Sequence, residues 1–365
     1  MEKSPYVRLI ERMNLNVVKH APTPAMLELM NTLFTKDQAG LIGDFPLGAY
    51  TATALATTLD RDEDELAGML AQMSKDGLIF EAKIDDGQGE YSVLPFEPGF
   101  MEMQLLKGNE DERTKKFAVL ARQASMQEAE LMKEVLQDPE MAKQLFSPPL
   151  SRIIAIEQEV EGDKEIASTE RVSQIVESET SYAAGECGCR HIAKLSGNPC
   201  KSGSPSKCCI WFGKTADYLV ERGYADRLTQ KEVCQLLKKC EDAGTVHFTG
   251  NTNSKENVVL CNCCDCCCVY LKKHKALRDM GYPVTETSNF VARVDMDTCI
   301  GCGECVDFCH YDALEMSDDT LSINSSYCLG CGVCVSKCPT QSLALVRISH
   351  KKPPELERSF EGPGV

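Results

Sequence analysis

Long apolar runs are missing from this chain of 365 residues: none approaches the ~18 residues a membrane span requires, so no direct membrane insertion is expected. Met1-Glu2-Lys3-Ser4 opens no signal-peptide pattern, and the expected location is cytoplasmic. Positive charge is scarce, with 39 Lys+Arg against 55 Asp+Glu and a net charge of −16. Nucleic-acid binding rests on cationic neutralisation of phosphates, so nucleic acid is not an expected partner. A protein with a basic docking face is. No G-x-G-x-x-G phosphate loop occurs, which leaves flavin or nicotinamide chemistry to other chains. No serine, cysteine–histidine or paired-carboxylate constellation stands out, and no catalytic residue is assigned.

Cysteine is abundant: 21 in a chain expected to carry no leader argue for metal rather than disulfides. Adjacent pairs such as Cys208-Cys209 and Cys263-Cys264 make poor disulfide partners. The densest order lies between Asp297 and Thr340. Cys299, Cys302, Cys305 and Cys309 follow C-x₂-C-x₂-C-x₃-C, and Cys328, Cys331, Cys334 and Cys338 repeat that spacing 29 residues later. Three closely spaced thiolates on a glycine-punctuated loop can grip three corners of an iron–sulfur cube, with the fourth carried away to a neighbouring cube. Zinc also uses C-x₂-C pairs but has no use for the third cysteine of each run.

The segment resembles bacterial-type two-cluster ferredoxins over about 60 residues. The resemblance implies two 4Fe–4S clusters, one held by Cys299, Cys302, Cys305 and Cys338, the other by Cys328, Cys331, Cys334 and Cys309. The first run ends Cys309-His310 where the family usually has Cys-Pro. His310 either stands exposed or offers an N–H and a titratable ring beside cluster sulfur.

Cysteine is dense again in residues 181–285: Cys187, Cys189, Cys200, Cys208, Cys209, Cys261, Cys263, Cys264, Cys266, Cys267 and Cys268. These eleven are candidate metal ligands, enough for one or two further iron–sulfur clusters, and their spacing does not separate a cubane from a zinc site. Cys234 and Cys240 lie on a helix begun by a Thr229/Glu232 capping box and read as small core residues. Arg190 and His191 either offset cluster charge and donate to sulfur, or, for Arg190, bridge a carboxylate. Cys187-Gly188-Cys189-Arg190, Cys209-Ile210-Trp211-Phe212-Gly213 and Asn262–Cys268 are similar to C-x-C-R, C-x-x-F-G and N-C-C-x-C-C-C elements of a group of anaerobe ferredoxin-domain proteins. That resemblance covers about residues 20–349 and implies class, not substrate.

The expected fold class is α+β and multidomain. Residues 21–97 read as a winged-helix-like docking domain. Thr23 and Pro24 start a helix, TATALATTL a second and DEDELAGMLAQMSKDGLI a third, before a hairpin of FEAKI and EYSVLPF. The third helix opens on Asp60-Arg61-Asp62-Glu63-Asp64-Glu65, which repels a duplex. Residues 1–20 form an amphipathic lead that packs on the body or on a partner. Residues 98–180 read as a mostly helical connector, with Phe117, Leu120, Ala121 and Ala124 marking one face. After the cysteine-rich domain at 181–285, residues 286–349 form the dicluster ferredoxin domain, and 350–365 a flexible tail.

These features point to an iron–sulfur electron-transfer subunit between a soluble carrier or neighbouring subunit and a catalytic partner in an anaerobic oxidoreductase complex. Its partners would be protein subunits and a soluble electron carrier, with self-association allowed. Two other classes fit less of the sequence: a redox enzyme with an atypical central cluster, and an iron–sulfur redox-sensing regulator.

Overall fold

The computed structural model describes residues 3–15, 18–83, 88–138, 149, 151–156, 171–251, 258–282 and 284–354. Residues 84–87, the acidic stretch at 157–170 and the tail from 355 are among those that lie outside them.

Helix α1 (Pro5–Met13) buries Leu9, Ile10 and Met13 and packs chiefly against α3 (Lys36–Asp44). Arg12 donates to the carbonyls of Phe45 at 2.6 Å and Pro46 at 2.8 Å. The lead thus belongs to the body. Thr23 caps α2 (Pro24–Leu33), its hydroxyl accepting from the Met26 N–H. Helix α3, absent from the sequence reading, starts with a Thr35/Gln38 capping box. Strand β1 (Tyr50–Thr51), α4 (Ala52–Leu59) and α5 (Glu63–Lys75) follow, then β2 (Phe80–Lys83) and β3 (Gly89–Ser92). The three strands form an antiparallel sheet ordered β1-β3-β2. Asp60 in the left-handed conformation ends α4, and the Asp62 carboxylate accepts the Glu65 N–H to cap α5.

After a tight turn at Phe96–Phe100 come α6 (Met101–Leu105) and α7 (Glu112–Val135). Phe117, Leu120, Ala121 and Ala124 of α7 are buried as their spacing predicts. They share one core with the N-terminal helices and with Ala183, Cys209, Trp211, Leu219 and Tyr224 of the cysteine-rich segment. Polar contacts reinforce that joint. Arg222 bonds Glu81 at 2.5 Å and Ser74 at 2.6 Å, and the Tyr224 hydroxyl reaches the Lys75 carbonyl at 3.2 Å.

The middle of the chain is built on a seven-stranded sheet. Its strands are β4 (Ser151–Ile154), β5 (Tyr182–Glu186), β6 (Lys207–Phe212), β7 (Asp226–Leu228), β8 (Val246–Gly250), β9 (Val259–Cys263) and β10 (Thr285–Glu286), ordered β10-β4-β8-β9-β6-β5-β7. Only β10–β4 is parallel. β4 comes from the segment read as helical connector; Ile153 and Ile154 are buried by joining the sheet. Packed around it are α8 (Val172–Ser178), α9 (Gly188–Leu195), α10 (Gly213–Glu221), α11 (Gln230–Asp242) and α12 (Val269–Arg278). The Thr229/Glu232 capping box on α11 is present.

Strand β11 (Phe290–Val294) pairs antiparallel with β14 (Leu343–Arg347), and β12 (Leu314–Ser317) with β13 (Thr320–Ile323), with short helices α13 (Glu304–Asp307) and α14 (Val333–Ser336) between them. The order is strand, hairpin, strand, with one cysteine run on either side of the hairpin. Gly301, Gly303, Gly330 and Gly332 all take positive φ, where a side chain is strained, so each cysteine run bends around its ligand loop.

His274 on α12 is 2% exposed and meets Tyr311 edge-on, ring centroids 5.8 Å apart. Burial, assisted by the Arg278 charge, pulls its pKa down to about 4, so the folded chain keeps the ring neutral. The unfolded ring takes up a proton near its ordinary 6.5. Stability linked to this group is therefore intact above that value and is lost as pH falls towards the folded value. In urea titrations under argon, His274→Phe should lose less stability than the parent chain between neutral pH and about pH 5. Equal losses would refute the assignment.

Candidate iron–sulfur centres

The C-terminal sulfurs gather in two sets, each drawing three cysteines from one run and one from the other. Cys299, Cys302, Cys305 and Cys338 line one cavity, together with Gly301, Gly303 and Leu343. Cys328, Cys331, Cys334 and Cys309 are one another's electrostatic neighbours. Backbone N–H groups aim at these sulfurs: Ala292 at Cys328 (3.5 Å), Ala313 at Cys309 (3.3 Å) and Ser342 at Cys338 (3.2 Å). Ala313 and Ser342 each lie four residues beyond the cysteine they serve, so the repeat extends from spacing to hydrogen bonding. Such donors favour the thiolate and tune cluster potential. Burial pushes Cys331 up to about 12, against the N–H of Val333, a cost that metal ligation would remove.

The central cysteines divide by position. The pairing of β6 with β9, Ile210 opposite Leu260, continues one step to place Cys209 beside Cys261. The Cys209 thiol faces Cys261, the Cys263 thiol faces Cys261 and Cys268, and the Cys189 thiol faces Cys268. In this five-thiol group, neighbouring sulfurs and then burial hold Cys189, Cys209 and Cys263 well above the usual thiol range. Cys261 and Cys268 accept the hydrogen bonds and are held well below it.

A second group holds Cys187, Cys208 and Cys240, with Cys208 in contact with both others. A third is Cys200, Cys264, Cys266 and Cys267, whose four sulfurs all lie within 4.8 Å of one another. There burial opposes ionisation of Cys200, but the Ser202 hydroxyl and N–H, Cys264 and Arg190 overcome it and draw the thiol down to about 6. Burial pushes Cys264 up to about 12 despite Arg190.

Arg190, 3% exposed, ties the groups together. Its guanidinium donates to the Cys208 sulfur at 2.6 Å and to the carbonyls of Pro205 and Asn262 at 2.9 Å each. It also reaches Cys264. Burial works against its charge, and the sulfurs of Cys208, Cys187 and Cys264 more than restore it. Of the two readings of Arg190, donation to sulfur is the one observed. His191 faces away, its Nε2 2.7 Å from the Asn109 carbonyl.

Two residues of the site were not read from the sequence. Cys240, which its helical spacing marks as plain core, meets Cys208; Cys234 is exposed. Only the heptad-like spacing of Val233, Leu237 and Cys240 on the buried face of α11 signalled its burial, and nothing signalled its neighbour. Tyr311 is 2% exposed in a hydrophobic unit containing Cys263, Cys268, Leu271, Leu329 and Val333, flanked by Cys309 and Cys331. Its hydroxyl has no hydrogen-bond partner, and sulfurs of both the central and C-terminal sets surround it.

The ferredoxin segment is bound against the central sheet. The Ile156 N–H bonds the Cys331 carbonyl at 2.9 Å, and Lys337 the Asp242 carbonyl at 2.7 Å. His310, neither exposed nor on a cluster sulfur, places Nε2 2.7 Å from the Gly244 carbonyl and Nδ1 3.4 Å from Asp265.

Residues 292–345 match the family model of a 4Fe–4S dicluster domain. With the cysteine-rich cluster at 260–268, this fits a ferredoxin-like iron–sulfur protein and supports an electron-transfer role. No curated protein and no solved structure matches the chain. Among the described residues no helix is long and apolar enough to cross a membrane.

Proposed function

We propose that this chain is an iron–sulfur electron-transfer subunit that relays electrons between its C-terminal dicluster domain and a further cluster held by central cysteines. One observation carries the reading: Cys263 and Cys268 on the central side share a water-excluding core with Cys309 and Cys331 on the ferredoxin side, Tyr311 lying between them. When bound, iron–sulfur clusters supply one-electron transfer at potentials set by ligation, hydrogen bonding and burial. The chain's own work is to hold the thiolates, donate N–H groups to them and exclude water. In this reading Cys299, Cys302, Cys305 and Cys338 hold one C-terminal cluster and Cys328, Cys331, Cys334 and Cys309 the other. Cys189, Cys209, Cys261, Cys263 and Cys268 supply the central ligands.

The N-terminal helices with their three-stranded sheet would act as a winged-helix-like docking unit. Its α5 opens on exposed Glu63, Asp64 and Glu65, which suits a basic protein surface and disfavours DNA. That charge also weighs against a DNA-binding redox sensor. The 21 free cysteines suit a reducing compartment such as the cytoplasm. The expected partners are a soluble one-electron carrier and a catalytic subunit of an oxidoreductase complex.

The test is reduction by a low-potential viologen under argon, followed by electron paramagnetic resonance. The C-terminal clusters and a central centre should all take up electrons. If the central centre stayed silent while the C-terminal clusters were reduced, the relay would be wrong.

A further inference from the structure

The Cys200, Cys264, Cys266 and Cys267 sulfurs are too close together for a cube. Cys200 lies 3.5 Å from Cys264 and 3.6 Å from Cys266; Cys266 lies 3.3 Å from Cys264 and 3.7 Å from Cys267. A single tetrahedral ion with metal–sulfur bonds of about 2.3 Å requires sulfur–sulfur edges of about 3.8 Å. A cubane instead places four irons and four sulfides between its ligands, which forces the ligand sulfurs beyond the 4.8 Å that encloses this group. The chain supplies its own contrast. Cys299, Cys302, Cys305 and Cys338 ring a cavity, and among the described residues they do not contract into so compact a set.

We propose that Cys200, Cys264, Cys266 and Cys267 bind one tetrahedrally coordinated metal ion, zinc or a single iron, as a closed four-thiolate site separate from the iron–sulfur clusters. Three ligands come from one turn, where the Cys268 N–H bonds the Cys264 carbonyl at 3.0 Å. The fourth, Cys200, comes from the loop between α9 and β6, so the ion would staple that loop to the end of β9. Two anionic charges remain on an M²⁺ ion with four thiolates, and Arg190, in reach of Cys264, offsets part of them. The proposal stands apart from the relay: it removes four sulfurs from cluster ligation and leaves the five-thiol and three-thiol groups for it.

The test is zinc, iron and acid-labile sulfide per chain in the full-length protein, purified under argon, with and without Cys200→Ser. The expected result is loss of about one metal ion per chain with sulfide unchanged. The metal that disappears identifies the ion. A joint loss of about four irons and four sulfides would make Cys200 a cubane ligand and overturn the proposal, as would unchanged metal content. If Cys200→Ser does not accumulate, the half-buried Cys266→Ser reads the same quantities. Neither outcome depends on viologen reduction, so the relay and the single-ion site can fail separately.

Discussion

Replacing Arg190 with methionine should cost the folded chain about 3–5 kcal/mol and release iron from the central cysteines, while residues 292–345 keep theirs. The side chain is buried and its guanidinium donates to one sulfur and two carbonyls. Methionine fills much of the volume but leaves both carbonyls without this donor, and the surrounding thiolates lose an adjacent cation. Unpaired buried acceptors and unopposed buried charge are among the largest single-residue costs known. Arg190→Lys should recover part of the stability, since it restores charge but not the fork that spans Cys208, Pro205 and Asn262. Denaturant titration gives the stability, and iron per chain the cluster content. Retention of full central iron by Arg190→Met would show that the guanidinium is not needed to hold the thiolates together.

Gly330→Ala should destabilise the ferredoxin segment by roughly 2–5 kcal/mol, from left-handed backbone strain plus overpacking. Gly330 has φ +68°, and a Cβ there would lie 2.1 Å from the Phe290 carbonyl oxygen and 2.2 Å from the Ser288 hydroxyl. The backbone at Phe290 belongs to β11 and cannot retreat without breaking its pairing with β14. Because Gly330 lies between Cys328 and Cys331, displacement of this loop should also cost the adjoining cluster, read as a loss of about four irons per chain. Gly197→Ala is the internal control. Gly197 has φ +79° with nothing within 4 Å of the added carbon, so only the left-handed strain of about 1–2 kcal/mol should appear. Equal losses in the two variants would mean that backbone strain alone, and not the close approach at Phe290, sets the cost.

The sequence by itself determined the features whose physics is local. Two C-x₂-C-x₂-C-x₃-C runs with glycines at fixed offsets dictate tight loops and short helices, and the dicluster segment, its hairpin and its closing strand follow them. Thr23 and Thr229 were legible as helix caps because each satisfies N–H groups only a few residues away. The apolar spacing in α7 likewise marked its buried face.

The strand at Ser151–Ile154 was not legible, because it is stabilised by β8, about a hundred residues downstream. Nor could spacing divide the central cysteines. Cys200 meets Cys264 across 64 residues and Arg190 meets Asn262 across 72, contacts created by strand pairing and by a loop folding back. Cys240 illustrates the same limit: its helix predicted burial, but only the packing of α11 placed Cys208 against it. His310 looked like an isolated departure from a motif until docking set it against Gly244. Tyr311 carries no motif at all. It was fixed between two sets of sulfurs by the apolar contact that seats the ferredoxin segment on the central sheet. Ligand type is thus a local property of this chain, written in spacing. Which ligands share a site, and what lies between the sites, is a property of distant segments brought together by burial.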